Sequence, residues 1–153
     1  MTVIVYRDGV MAADRSIWLG GGVVAGEMRK ITRMANGALL ACAGSQSTST
    51  MFANWLQKSG DRPAVVNENG FRALQVHPDG AVTLWDELLQ PTTYEAPFYV
   101  CGVQSAFTLG ALYANASAEE AVRLTLRYTD MGSSQGAVDV EHLTTPEWAL
   151  DRS

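Results

Sequence analysis

The chain has 153 residues, enough for one domain with a sizeable core, and 47% hydrophobic against 18% charged residues marks a folded globular protein, not a disordered one. A net charge of −5 with scattered Lys and Arg argues against a nucleic-acid partner. No apolar run approaches the roughly 20 residues that span a bilayer, and Arg7 and Asp8 interrupt the N-terminus too early for a signal peptide. A cytoplasmic protein is expected. Cys42 and Cys101 each sit in an apolar strand-like run, as buried reduced thiols do, and no metal site or cofactor is implied.

In chain order, Thr2 to Tyr6 and Val10 to Ala13 are apolar runs around the turn signal Arg7-Asp8-Gly9, a β-hairpin that starts at residue two. Both runs are nearly continuous in apolar character, as in strands covered on both faces. Arg15 to Gly26, with its Gly20-Gly21-Gly22 triplet, reads as a glycine-rich connection. No Lys-Ser/Thr follows the triplet, so it is not a phosphate loop. Arg29 to Met34 and Ala38 to Ala43 flank Asn36-Gly37, a second hairpin. Met51, Phe52, Trp55 and Leu56 then fall at helical spacing, and Ser59 to Pro63 ends that helix.

Phe71 to Val76 and Ala81 to Trp85 form a third hairpin around His77-Pro78-Asp79-Gly80, whose histidine is read as a turn residue. Glu87 to Pro97 reads as a loop and Phe98 to Cys101 as a strand closed by Gly102. Ser105 to Ala114 is a helix of small residues, with Gly110 and Ala111 permitting close packing. Ser117-Ala-Glu-Glu120 is a capping box that opens a helix with Ala118, Ala121, Val122, Thr125, Leu126 and Thr129 on one stripe. Asp130 to Gly136 is a polar loop, Ala137 to Leu143 a last strand, and residues 144–153 a short tail. Strands in runs, with one helix early and two late, imply a single α+β layered domain over residues 1–153, with helices on both outer faces of two stacked sheets.

Chemistry concentrates at the chain's start. A hydroxyl needs a base within hydrogen-bond reach to act as a nucleophile. If Met1 is removed, Thr2 carries both a hydroxyl and a free α-amine, whose ordinary pKa is about 8. A nearby cation lowers that pKa, and a carboxylate holds the cation in place. Asp14 and Lys30, on neighbouring predicted strands, suit those roles. An ordinary strand threonine beside an ordinary ion pair is the plainer alternative.

The run Thr2 to Asp14, then Arg29-Lys30-Ile31 and Ala43-Gly44, resembles the proteasome β-subunit and bacterial HslV-type peptidases, which are N-terminal-nucleophile hydrolases. The resemblance continues from Gly102 through Ala111, over the Ala118 to Val122 helix and into Asp130-Met-Gly-Ser133. It implies a four-layer αββα sandwich and amide hydrolysis through an acyl-enzyme on the N-terminal threonine. By position it makes Thr2 the nucleophile, Asp14 and Lys30 the charged pair that tunes it, and Gly44 the backbone oxyanion donor. It also places Asp130 and Ser133 around the nucleophile, and Met28, Thr32, Cys42 and Gln46 along the first side-chain pocket. Where the family has Ser-Gly after the fifth-strand glycine, this chain has Gly102-Val103-Gln104, so a proton-relaying hydroxyl is replaced by Val103.

The resemblance implies a threonine-type endopeptidase acting on peptides or unfolded protein, in a homo-oligomer that is a ring in the family and works with an ATPase unfoldase. Two alternatives stand beside it. One is a proteasome-like homologue without catalysis that serves as an assembly or interaction module. The other is an amidohydrolase of the same superfamily that acts on a small amide.

Overall fold

The computed structural model describes residues 1–19, 23–63, 70–131 and 137–144. Strands β1 (Val3–Arg7) and β2 (Val10–Asp14) form the first hairpin, with Arg7 paired to Val10 across a two-residue turn. Asp8 and Gly9 both have positive φ, at 52° and 78°. That turn matches the right-handed twist of the flanking strands, which is why Asp-Gly stands there. Strands β10 (Phe98–Gly102) and β11 (Val138–His142) flank the hairpin, giving a four-stranded antiparallel sheet in the order β10-β1-β2-β11.

The second sheet holds five antiparallel strands in sequence order: β5 (Ile31–Arg33), β6 (Leu39–Ala43), β7 (Arg72–Val76), β8 (Val82–Trp85) and β9 (Pro91–Thr93). Helix α1 (Gln46–Lys58) covers its outer face. It starts at Ser45, whose Oγ accepts from Thr48 N at 3.2 Å. Helices α2 (Ser105–Tyr113) and α3 (Ala118–Tyr128) cover the outer face of the first sheet, and Ser117 Oγ caps α3 by accepting from Glu120 N at 3.1 Å. The result is the four-layer αββα sandwich.

Three apolar interfaces separate the four layers. Ile4, Tyr6, Met11 and Ala13 meet Leu39, Ala41, Leu74 and Val76 between the sheets. Val3, Val5 and Ala12 point the other way, onto Leu112, Ala121, Val122 and Leu126 of the helices. Leu40, Phe71 and Ala73 pack on Phe52 of α1. Successive residues of one strand therefore enter two different cores, and this is the physical reason the strands read as unbroken apolar runs.

The structure departs from the sequence reading in three places. The glycine-rich connection contains a two-stranded sheet, β3 (Ser16–Leu19) with β4 (Val23–Glu27), and its register shifts between Ile17 and Trp18. The segment read as a loop before Phe98 contributes the edge strand β9. All three of its residues are exposed, so no apolar pattern announces it. Gly110 faces open space and does not permit any close approach. Contact between α2 and α3 runs through a buried pair of hydroxyls instead, Thr108 Oγ1 to Thr125 Oγ1 at 2.7 Å.

One backbone contact fixes where the chain begins. Gly102 lies opposite Val3 with φ 102°, and Val103 N donates to the Thr2 carbonyl at 2.8 Å. A Cβ on residue 102 would lie 2.0 Å from that carbonyl oxygen. Both the backbone conformation and the close approach require glycine. Gly102→Ala should therefore destabilise the fold by about 3 kcal/mol or more, read as a fall in the urea midpoint at unchanged slope.

Candidate active site

Thr2 precedes β1 and is 8% exposed. The strand that follows it is a central one buried on both faces, so the threonine is held at the end of that strand and not on a loose terminus. Asp14 ends the neighbouring strand and is fully buried. Its Oδ1 accepts from Val3 N at 3.0 Å, and its Oδ2 accepts from Ser16 N at 3.2 Å and from Lys30 Nζ at 2.8 Å. A buried carboxylate is tolerated when its lone pairs are met in this way.

Lys30 stands in the connection between β4 and β5, with its side chain 9% exposed. Besides Asp14, its Nζ contacts Thr2 Oγ1 at 3.0 Å and donates to the Met1 carbonyl at 3.2 Å. The ammonium thus bridges a buried carboxylate and the threonine hydroxyl. Burial lowers the Lys30 pKa from its ordinary 10.5, and the Asp14 carboxylate opposes that shift. The α-amine of Met1 is likewise lowered, first by burial and then by the Lys30 charge.

Thr2 and Lys30 open onto a cavity of about 530 Å³. Its walls come from three places: Ile17 and Trp18 of β3, Leu40, Cys42 and Gly44 at the end of β6, and Gln46, Ser49 and Thr50 in the first turns of α1. Met28, Thr32, Cys42, Gln46 and Gly44, singled out from the sequence, all line it. A second space beside Thr2 is bounded by Gly44, Gly70, Arg72, Gly102 and Val103. Burial pushes the Cys42 thiol up to about 12. A thiol protonated at neutral pH is a poor nucleophile, whereas the Thr2 hydroxyl on the same cavity wall meets the Lys30 ammonium.

Asp130 is exposed in the turn after α3 and lines neither cavity, and Ser133 lies outside the described residues. Val103 turns its side chain to the core beneath α2 and α3. The next hydroxyl, Ser105 Oγ, donates to the Gly102 carbonyl at 2.8 Å and is occupied there.

Sequence reasoning missed two contributors. Residues 16–18 were absorbed into the glycine-rich connection, although Ser-Ile-Trp-Leu is a strand-like run. Asp139 of β11, 5% exposed, accepts from Lys30 N at 2.9 Å and from Arg15 Nη1 at 2.6 Å. Its signal was the alternation of Val138 and Val140 with Asp139 and Glu141.

The fold is a four-layer αββα sandwich with a threonine, a lysine and an aspartate joined at the head of the first sheet. Three solved structures share it over nearly their whole length. BPH from Thiobacillus denitrificans is 18% identical with a TM-score of 0.58, covering 95% of this chain and 99% of its own. The same protein in complex with epoxomicin is 17% identical with a TM-score of 0.61, covering 94% and 98%. Eukaryotic HslV from Trypanosoma brucei is 18% identical with a TM-score of 0.59, covering 92% and 98%. No family model and no curated protein matches the sequence. At this level of identity the likeness is one of fold.

The buried pair makes a direct prediction. Asp14→Asn leaves the Lys30 ammonium without its nearest carboxylate and should cost about 3 kcal/mol at neutral pH. The lowered folded-state pKa of Lys30 falls further in the variant, so the unfolded chain binds more protons between that pKa and 10.5. Variant stability should consequently rise as pH approaches 10.5, narrowing the gap to wild type in denaturant titrations run across that range.

Proposed function

We propose that this protein is a threonine-type peptidase that hydrolyses peptide bonds through Thr2 once Met1 is removed. The contact that carries this reading is Lys30 Nζ, 3.0 Å from Thr2 Oγ1 and 2.8 Å from Asp14 Oδ2, at the mouth of a peptide-sized cavity. In the mature chain the Thr2 α-amine takes the hydroxyl proton as Oγ1 attacks the scissile carbonyl. The Lys30 ammonium keeps that amine's pKa low, so a useful fraction is neutral near pH 7. Gly44, in the cavity wall, offers its N–H to the oxyanion. Collapse of the tetrahedral intermediate releases the amine product with that proton and leaves an ester on Thr2, which water hydrolyses.

Met28, Thr32, Cys42 and Gln46 receive the substrate side chain that precedes the scissile bond. The family resemblance also assigns Asp130 and Ser133 to the surroundings of the nucleophile; Asp130 is exposed and lines neither cavity, so no part of the step is given to it. The same resemblance supports a self-associated assembly acting in the cytoplasm on unfolded chains, with an ATPase partner that delivers them. Among the described residues no helix is long and apolar enough to cross a membrane.

A second reading, an assembly module without catalysis, is favoured by one observation. Residue 103 is Val, and the nearby Ser105 hydroxyl is bound to Gly102 O, so neither supplies a proton relay beside Thr2.

Intact mass after exposure to a peptide epoxyketone separates the two, because that reagent needs a hydroxyl and a free amine on one residue. The peptidase reading expects loss of Met1 and one adduct on Thr2. Retained Met1 with no adduct would establish the module instead. Met1 lost without an adduct would place the defect at Val103, and Val103→Ser should then restore labelling.

A further inference from the structure

We propose that Asp139 is a positioning residue for Lys30, fixing from β11 both where the lysine stands and how firmly it keeps its proton. The catalytic meaning of this rests on the Thr2 reading; the geometry does not. Lys30 lies outside any strand, in the three-residue connection between β4 and β5. Within it, Met28 N donates to Arg15 O at 2.8 Å and Lys30 N donates to Asp139 Oδ2 at 2.9 Å. The second bond anchors the lysine's own backbone. Its side chain then runs four methylenes to Asp14 and Thr2, and a displaced anchor carries the ammonium with it.

Strand register explains why residue 139 can do this. Val138 pairs with Asp14 and Asp139 with Ala13, so β11 lies directly alongside the strand that ends in the catalytic carboxylate. The lysine is therefore held by two carboxylates on adjacent strands, one on its ammonium and one on its amide. Asp139 neither lines the cavity nor touches Thr2. It acts only through Lys30.

The charges around the ammonium decide the direction of the effect. Asp14 on β2 and Asp139 on β11 favour the protonated lysine, whereas burial and the Met1 amine at the chain start oppose it. Arg15, after β2, spends its charge on Asp139 at 2.6 Å and lies 3.8 Å from Glu27. Arg29, beside Lys30, is 3.8 Å from Asp139 and bonds Glu141, which also binds Arg33 of β5. The cations near Lys30 are each matched, so removing the Asp139 charge lowers the lysine's pKa.

The chain has only two lysines, Lys30 and Lys58, so labelling lysine at Cε with carbon-13 yields two resolvable titrations. Lys58, in the last turn of α1, serves as the internal reference. In Asp139→Asn the Lys30 pKa should fall by about half a unit or more while Lys58 stays fixed. On a fluorogenic peptide, kcat should drop about tenfold or more with KM little changed, and its acid limb should move to lower pH. An unchanged Lys30 titration in a folded Asp139→Asn protein would overturn the proposal, leaving Asp139 as a tie between β11 and Arg15 alone.

Should Asp139→Asn fail to fold, Asp139→Glu decides. The longer carboxylate still reaches the flexible Arg15 but overshoots the Lys30 amide. A shifted Lys30 Cε resonance beside a constant Lys58 supports positioning; both unchanged refutes it. If wild type takes no epoxyketone adduct, the peptidase reading fails, and the Lys30 titration still decides the role of Asp139.

Discussion

Everything at the head of the first sheet depends on keeping one ammonium charged in a buried place. Taking the Lys30 charge out of water costs several kcal/mol before any partner is counted, and its attraction to Asp14 offsets this only in good geometry. The structure provides that geometry by giving Asp14 three donors, two of them backbone N–H groups at the ends of neighbouring strands. Strand ends leave such groups without ladder partners, and a carboxylate there satisfies them while it holds the lysine. The site thus uses the places where the sheet's own hydrogen bonding runs out.

Rigidity comes from the layers. The start of β1 is clamped from one side by β2 and from the other by β10, whose Gly102 leaves room for the Thr2 carbonyl to accept from Val103 N where no Cβ would fit. The second sheet supplies the facing wall of the cavity from the end of β6 and the start of α1. Residues 28–30 close it from below, held to β11 by Asp139 and by the Glu141 pairs with Arg29 and Arg33. Thr2 with Asp14, Lys30 and the facing cavity wall therefore come from different parts of the fold, and only its packing brings them together.

Likeness to BPH and HslV at 17–18% identity, with no match to any family model, shows how little sequence this architecture requires. Continuous apolar strands, the helix stripes, an Asp-Gly turn and one close-packed glycine are the features of this chain that its four layers use. A fold specified so loosely hosts many functions, so activity has to be argued from the site. Here the hydroxyl, lysine and aspartate are assembled, and residue 103 is a valine packed against the core beneath the helices.

Much of this was legible in the residues themselves. The first hairpin, the Asn36-Gly37 hairpin, the capped α3 and the alternation of buried faces follow from local turn chemistry and from periodicity, which act over a few residues. Thr2, Asp14 and Lys30 were legible because hydroxyl, amine and charge carry their chemistry wherever they stand, whereas Met28, Thr32, Cys42, Gln46 and Gly44, which line the cavity, were indicated only by the family resemblance. The strand pair β3–β4 was hidden by the glycines between its strands, although Ser-Ile-Trp-Leu is strand-like, and the exposed edge β9 leaves no apolar period to read. Gly110 looked like a contact and faces open space, because small residues permit closeness without requiring it. The approach of Gly102 to the Thr2 carbonyl and the anchoring of Lys30 by Asp139, 109 residues away, were decided by tertiary structure alone. Sheet order and layer packing set those distances, and no local pattern encodes which strand ends will meet.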